Sequence, residues 1–275
     1  THPLGAKHRM TLNDQHVSQF QREGYTSVPH FFDTREVKAL QREVERFKRE
    51  GLVRNVATDG DGQTPCTDRA NLQLIPLHDK SDLIRALPFV ASVRQAIAQL
   101  IGTPAILHLD QMFLKPGRHG TGTDWHQDNA YFKIADPLKG TAMWVAIHDA
   151  TITNGTIHVV PGSHSEEYEH SRDPNSDHHI HCQVPEERAV PIELAAGGVA
   201  FFCYGTAHCT KANLTDDERA GMAFHFLHHE YVPQANLADE KPLISGPDAT
   251  GGLREYGVQV DGTWDAEVAR TLATS

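Results

Sequence analysis

Histidine is the residue type that most strongly suggests metal chemistry here, because the chain contains 19 histidines among 275 residues. Two histidines and one carboxylate can bind one face of an Fe(II) ion and leave the other positions open for reactants. A His-x-Asp or His-x-Glu pair supplies two such ligands, since residues i and i+2 of a strand point to the same side. The spacing of histidines and acidic residues therefore indicates where a metal site could lie.

Four pairs of this kind occur, and random placement of the histidines and acidic residues would give roughly two or three. They are His108/Asp110, His126/Asp128, His164/Glu166 and His228/Glu230. The context distinguishes the second pair, because a glycine-rich turn precedes it and Tyr131 and Phe132 follow it. We therefore predict His126 and Asp128 as metal ligands. We expect structural roles for the other pairs, the first of which could also lie at the edge of a substrate pocket.

The third metal ligand is expected on a later strand, and His208 stands at the end of the apolar run 199–208. Thr210, two residues further on, would face the same side. Arg219 follows at the start of another apolar run. Taken alone, Arg219 is typical of a solvated surface arginine. Next to a metal site, however, its guanidinium could bind the distal carboxylate of a 2-oxo acid through two parallel hydrogen bonds.

Helices are predicted in the first third of the chain. Asp33 and Glu36 form a capping box that opens a helix ending near Gly51. A shorter helix is expected from about residue 11 to Gly24, and a third from about Pro88 to residue 100. In each of the three segments, apolar residues recur at spacings of three and four.

Short strands are predicted from residue 105 onward, where runs of β-branched and aromatic residues alternate with turn signals. The runs are 106–114, 142–147, 156–160, 190–194, 199–204 and 221–227. Strands at this spacing without intervening helices favour a β-sandwich or barrel. We expect a single domain over residues 1–275: a mainly helical part (about 1–104), a jelly-roll core (105–233), and a tail or cover (234–275). Residues 54–80 are predicted as a long loop.

The composition is typical of a globular protein, and the formal net charge of −11 argues against nucleic acid or an anionic membrane surface as a partner. No apolar run reaches the length of a membrane-spanning helix. Residues 1–10 lack the apolar segment of a secretory signal. The four cysteines have no CxxC spacing and are expected to be free thiols. We therefore expect a cytoplasmic enzyme or binding protein with a small-molecule ligand and an unknown oligomeric state.

The sequence resembles the phytanoyl-CoA dioxygenase family of Fe(II)/2-oxoglutarate-dependent oxygenases over about residues 11–233. The segments that carry the resemblance are Phe20–Tyr25, Leu114–Gly117, Trp125–Asp128, Val159–His164 and His208–Asn213, together with Arg219. The resemblance implies a double-stranded β-helix, which is a cupin-like jelly roll, with helices packed on its outer sheet. It also implies Fe(II), 2-oxoglutarate and O2 as cofactors, with iron held by His126, Asp128 and His208.

The same resemblance implies roles for residues around the metal. Arg219 and Thr210 match positions that hold the C5 carboxylate of 2-oxoglutarate, and Gln111 matches a residue near the C1 carboxylate. Trp144 matches an aromatic position of the cosubstrate pocket, although a core tryptophan is an equally good interpretation. Family relatives that halogenate have a small residue in place of Asp128. The implied reaction is therefore hydroxylation of an unactivated C–H bond, with release of succinate and CO2.

Substrate contacts are expected from residues close to the ligands in sequence or on polar loops. We predict Tyr131, Phe132 and Arg69 as contacts; further candidates are Lys133, Asn71, Gln73, His178, His179 and His181. A small organic, polar metabolite is favoured over an acyl-CoA because no cluster of lysines and arginines is evident. Alternatives from other classes are a non-catalytic jelly-roll protein that binds a metal or ligand, a zinc hydrolase, and a histidine-rich metal-storage protein.

Overall fold

The computed structural model describes residues 11–235, 237 and 240–273. Residues 1–10, where the absence of a secretory signal was predicted, lie outside the described residues. The helices are α1 (Asp14–Glu23), α2 (Thr34–Arg49), α3 (Asp82–Ala86), α4 (Ala91–Ile101), α5 (Asn129–Phe132), α6 (Leu253–Tyr256) and α7 (Trp264–Ala273). The strands are β1 (Tyr25–Val28), β2 (Arg54–Asn55), β3 (Leu72–Leu74), β4 (Ala105–Lys115), β5 (Thr123–His126), β6 (Gly140–Ala146), β7 (Ile157–Val159), β8 (His170–Arg172), β9 (Ile180–Cys182), β10 (Val190–Ile192), β11 (Val199–Cys203), β12 (His208–Thr210), β13 (Arg219–His228) and β14 (Leu243–Ser245).

The predicted helices form, with differences at their ends. The capping box of α2 is present, with Asp33 accepting from backbone N–H groups and Glu36 accepting from the N–H of Asp33. Gly24 ends α1 in the left-handed conformation at φ +81°. The helix expected from Pro88 starts later, because Val90 is extended (ψ 134°) between one 3-10 turn and α4.

All six predicted strand regions form strands, and they build two antiparallel sheets. The large sheet has the order β1-β11-β6-β13-β4-β3-β2, with β14 also paired to β4. The small sheet has the order β10-β7-β12-β5. The helices pack against one face of the large sheet, and the small sheet faces the other. This arrangement is the expected jelly roll with helices on its outer sheet.

The two faces of the large sheet bury different side chains because successive residues of a strand point to opposite sides. On β6, Met143 and Val145 pack with the helices, whereas Ala142 and Trp144 point between the two sheets. Strands β6 and β13 are buried along their whole length. Their inward residues are therefore held between two packed layers, which is where a site can be kept rigid and dry.

Two segments contain more structure than the sequence predicted. Residues 54–80, expected as a long loop, contain β2 and β3 at the edge of the large sheet. The expected tail or cover contains β14, α6 and α7, and the Trp264 indole N–H donates to buried Glu36 of α2 at 2.6 Å. Among the described residues, no helix is long and apolar enough to cross a membrane.

Candidate metal centre and cosubstrate pocket

The small sheet brings the three predicted metal ligands together. His126 ends β5, and His208 begins β12 directly opposite it in the antiparallel ladder. Asp128 follows two residues after His126, at the start of α5. Its Oδ1 lies 3.7 Å from Nε2 of His126 and 3.8 Å from Nε2 of His208. One donor atom from each residue therefore points at a common centre, and all three lie within 4.8 Å of one another.

Backbone carbonyls fix the tautomer of both histidines. The Nδ1 of His126 is 2.8 Å from the carbonyl oxygen of Asp124, and the Nδ1 of His208 is 2.9 Å from that of Thr206. Each Nδ1 therefore carries the proton, and each Nε2 presents its lone pair to the centre. Burial lowers the pKa of His126 to about 4 and also lowers that of His208. Both rings are neutral near pH 7, as metal ligands must be.

The chemistry of this donor set fits Fe(II). Burial raises the pKa of the Asp128 carboxyl, but the neighbouring imidazoles of His208, His225 and His126 lower it more, and the net shift is downward. The carboxylate is therefore ionised while almost fully enclosed. Two neutral imidazoles and one carboxylate on one face of an open cavity are the donor set of non-haem Fe(II) oxygenases.

His225 is a site residue that the sequence analysis missed. It lies on β13 with 3% of its surface exposed, and its Nε2 is 3.2 Å from Oδ2 of Asp128. Asp128 Oδ2 is buried and has no other partner among the described residues, so this contact is the one that His225 supplies to the carboxylate. A sequence signal did exist: Arg219, Gly221, Ala223 and His225 alternate along one strand and so share its inner face.

Arg219 is fully buried at the far side of the cavity from solvent. Its guanidinium donates to the carbonyl oxygen of Gly155, and its Cζ lies 5.4 Å from the centroid of the Trp144 ring. Its Nε has no hydrogen-bond partner, and no acidic side chain of the described residues pairs with it. Burial lowers the pKa of Arg219 to about 10, so the group is still charged near pH 7. An anion is therefore needed to complete this site.

Lys115 adds a second buried amine beside this arginine. Its side chain is 1% exposed, and its Nζ donates to the carbonyl oxygens of Lys211 and Gly155. Burial, and then the charge of Arg219, hold the pKa of Lys115 well below its usual value. The Lys115 amine is therefore biased toward its neutral form, and Arg219 supplies the positive charge at this end of the cavity.

A cavity of about 230 Å³ connects the metal ligands with Arg219. The three further residues predicted around the cosubstrate, Thr210, Gln111 and Trp144, line it, and so does Phe132, which was predicted as a substrate contact. The Thr210 hydroxyl accepts from the backbone N–H of Thr123 at 3.1 Å. Trp144 is 4% exposed and forms a wall of the cavity, so it is both a core residue and a lining residue.

Two segments lie against each other beside the cavity, and we call them the lid (residues 54–71 and 173–182). The second segment supplies His178 and His179 to the cavity wall. Thr58 donates its backbone N–H to the carbonyl oxygen of Asn175 at 3.0 Å, and Arg54 pairs with Asp177. The Tyr131 hydroxyl accepts the backbone N–H of Ile180 at 3.0 Å. The lid is therefore tied both to itself and to the segment that follows the metal ligands.

The remaining predicted residues divide between the cavity and its surroundings. Tyr131, Gln73, His178 and His179 line the cavity; Asn71, Lys133, His181 and Arg69 do not. Arg69, predicted as a substrate contact, has an exposed side chain that donates to the carbonyl oxygen of Thr58 at 3.4 Å. Arg69 is close to Gln73 in the sequence, but only Gln73 lines the cavity, and the Arg69 side chain is exposed to solvent.

None of the other three His-x-acid pairs belongs to the cluster of metal ligands in the described residues. Asp110 is buried and accepts from the backbone N–H of His78 at 2.9 Å, which anchors the segment after β3. His108 contacts the Tyr204 hydroxyl at 3.0 Å. His164 lies in a 3-10 turn, and His228 contacts the carbonyl oxygen of Thr103 at 3.2 Å.

Comparisons with known proteins agree with this geometry. The family model described as Phytanoyl-CoA dioxygenase (PhyH) matches residues 20–221. Ectoine dioxygenase of Bordetella bronchiseptica is 25% identical over 77% of this chain and 74% of its own length. Phytanoyl-CoA dioxygenase 1 of Oryza sativa is 26% identical over 80% of this chain and 90% of its own length.

Solved structures show the same fold. The non-heme alpha ketoglutarate dependent carbocyclase SnoK from nogalamycin biosynthesis superposes with a TM-score of 0.66 at 19% identity, covering 79% of this chain and 84% of its own. EctD from S. alaskensis, with 2-oxoglutarate and 5-hydroxyectoine, has a TM-score of 0.64 at 20% identity, covering 82% and 80%. The cupin-like jelly roll predicted from the sequence is thereby confirmed.

Proposed function

The chain belongs to the phytanoyl-CoA dioxygenase family and is an enzyme that uses Fe(II), 2-oxoglutarate and O2, and from this premise we propose its reaction. It hydroxylates an unactivated C–H bond of a small organic metabolite, with release of succinate and CO2. The observation that carries this proposal is the fully buried, unpaired Arg219 in the same cavity as the His126–Asp128–His208 cluster. A metal site alone would not need such a cation.

His126, Asp128 and His208 would hold Fe(II), with the Nε2 atoms of the two histidines and a carboxylate oxygen as donors. Because the carbonyls of Asp124 and Thr206 already fix both imidazoles, little rearrangement accompanies metal binding. When bound, Fe(II) and 2-oxoglutarate supply the oxidising chemistry that activates O2 for attack on a C–H bond. The contribution of the protein is to hold the reactants in place and to keep water away.

The cosubstrate is oriented from both ends. Arg219 binds its distal carboxylate with a planar guanidinium, and Thr210 adds a hydroxyl whose oxygen already accepts from Thr123 and whose proton is therefore free to be donated. Gln111 lines the same cavity and would lie near the C1 carboxylate. The Trp144 ring lines the cavity beside Arg219, so the carbon chain of the cosubstrate would pack against it.

Hydroxylation is supported by Asp128, which fills the ligand position that halogenating relatives leave open. The lid supports it as well, since a covered cavity protects reactive species from water. A non-catalytic binding protein is the alternative from another class. The buried Arg219 in the cavity of the metal ligands argues against it, because a protein that only binds a metal would gain nothing from a buried charge without an acidic partner.

The test uses the purified protein with Fe(II), ascorbate, 2-oxoglutarate and isotopically labelled O2, added to a small-molecule extract. Hydroxylation predicts a metabolite that gains one labelled oxygen atom, together with succinate, with the wild type but not with His208→Ala. A product that loses two hydrogens without gaining oxygen would replace hydroxylation by another oxidation. If the wild type and His208→Ala release equal amounts of succinate, the catalytic proposal is wrong.

We also propose a single domain, a small-molecule partner and a cytoplasmic location. Residues 1–275 act as one oxygenase domain, which is supported by the packing of α7 on α2 and the pairing of β14 with β4. The partner is a small molecule and not nucleic acid. A cytoplasmic location is supported by the four cysteines, which are all unpaired in the described chain.

A further inference from the structure

Few charged side chains in the cavity remain available to a substrate after the cosubstrate and the metal have bound. Of the described residues that line it, Asp128 and Arg219 carry permanent charges. In the proposed function, Asp128 binds Fe(II) and Arg219 binds the distal carboxylate of 2-oxoglutarate. No lysine, arginine, aspartate or glutamate of the described lining residues is left to pair with a charged substrate.

The histidines of the lid do not change this balance. His179 is buried, and burial holds its pKa well below the usual value, so its ring is neutral. Its Nδ1 contacts the Ser176 hydroxyl at 2.9 Å. His178 lies at the rim, where its Nδ1 already contacts the Asp177 carboxylate at 2.5 Å. A charged group of a substrate would therefore be buried without a partner, which is strongly unfavourable.

The substrate side of the cavity is lined mainly by apolar and aromatic side chains. They come from β4, from the segment after β3 and from α5: Leu109, Phe113, Ile75 and Phe132. Such walls stabilise an apolar body by removing its surface from water.

One polar group on this side lacks a partner. Gln73 is 4% exposed, and its Nε2 donates to Oε1 of Gln111 at 2.9 Å. That hydrogen bond points its own Oε1 away from Gln111, and this oxygen is buried without a hydrogen-bond partner among the described residues. Gln73 lines the cavity. A buried acceptor without a partner costs free energy, which a ligand with a hydroxyl or an N–H group would recover.

We propose that the substrate is an uncharged small molecule with an apolar body and a hydroxyl or N–H group that donates to Oε1 of Gln73. This inference rests on the proposed function, because it assigns Arg219 to the cosubstrate and Asp128 to the metal. It makes Gln73 a specificity-determining residue, and it excludes acyl-CoA thioesters and free amino acids or amines as substrates.

The test measures binding to the protein loaded with Zn(II) and 2-oxoglutarate, so that no turnover occurs. The probes are four rings of similar size: cyclohexanol, cyclohexanone, cyclohexylammonium and cyclohexanecarboxylate. Ligand-observed NMR reports each affinity. We expect cyclohexanol to bind most tightly and the two ions to bind roughly a hundredfold more weakly. Gln73→Leu should weaken cyclohexanol by roughly tenfold and leave cyclohexanone unchanged.

Gln63→Leu, on the exposed part of the lid, is the matched control and should change none of these affinities. The inference is overturned if either ion binds as tightly as cyclohexanol, if cyclohexanone is preferred, or if no ring binds while 2-oxoglutarate does. Loss of cyclohexanone and cyclohexanol binding together in Gln73→Leu also overturns the role of Gln73. Failure of 2-oxoglutarate itself to bind would instead contradict the proposed function, so the two failures are distinguishable.

Discussion

Replacement of Arg219 by methionine tests whether this residue exists to bind a carboxylate. Methionine fills a similar volume and carries no donor and no charge. Arg219 is fully buried, so the carboxylate that it binds is also removed from water. Removing one partner of a buried charge pair costs about 2–5 kcal/mol, which corresponds to a loss of roughly 30- to 5,000-fold in affinity for 2-oxoglutarate.

The assay is calorimetric titration of the Co(II)-loaded protein with 2-oxoglutarate and with 2-oxopentanoate under nitrogen. The second compound keeps the 2-oxo acid end and the chain length but lacks the distal carboxylate. The wild type should prefer 2-oxoglutarate strongly, and Arg219→Met should lose this preference or reverse it, because the distal carboxylate would then be buried without a partner. Arg22→Met, an exposed arginine paired with Glu23, is the control and should behave like the wild type.

Stability without ligand separates a binding role from a structural one. Because Arg219 has no acidic partner, its burial costs free energy in the empty protein, and Arg219→Met should leave Tm unchanged or raise it. The reasoning is refuted if Arg219→Met still prefers 2-oxoglutarate over 2-oxopentanoate. A lowered Tm with unchanged preference would show that Arg219 serves the fold instead.

Three further predictions concern residues around the site. His225→Leu leaves the metal ligands in place but removes the contact to Asp128, so Co(II) affinity in a chelator competition should fall by roughly 10- to 100-fold; an unchanged affinity would rule out this role. Gly221→Ala should displace Trp144, whose ring lies 2.4 Å from the added Cβ, and should weaken 2-oxoglutarate binding with little change in metal affinity; equal binding would contradict the close packing. Lys115 has a lowered pKa, so its unfolded form binds more protons and the stability of the fold falls as pH decreases below the usual value of 10.5. Lys115→Met should therefore raise Tm most at about pH 7 and less at about pH 9, and a lower Tm at both would refute the argument.

The sequence is sufficient to predict a strand and its site residues where one pattern determines both. Runs rich in β-branched and aromatic residues predicted the central strands. They did not predict β5, which ends at His126, and His208 begins the separate strand β12 instead of ending the run 199–208. Their side chains meet because β5 and β12 are neighbours in the small sheet. That pairing is a long-range contact, and only the resemblance to a known family implied it at the sequence level.

Residues whose role depends on the direction of a loop or on strand pairing could not be predicted in this way. Arg69 is only four residues from Gln73, yet one is exposed and the other lines the cavity. His225 is recognisable only once β13 is known to lie beside the metal ligands. The C-terminal helix α7 was missed because its stabilising contacts, such as that between Trp264 and Glu36, join distant parts of the chain.

The most direct test of the central claim is an anaerobic titration of the Fe(II)-loaded protein with 2-oxoglutarate, followed by visible absorption. Chelation of Fe(II) by a 2-oxo acid gives a charge-transfer band that neither component shows alone. The wild type should develop this band to saturation, His208→Ala should not, and Arg219→Met should need far more 2-oxoglutarate. Absence of the band in wild-type protein that demonstrably holds Fe(II) would contradict the assignment of this cavity to an iron- and 2-oxoglutarate-dependent reaction.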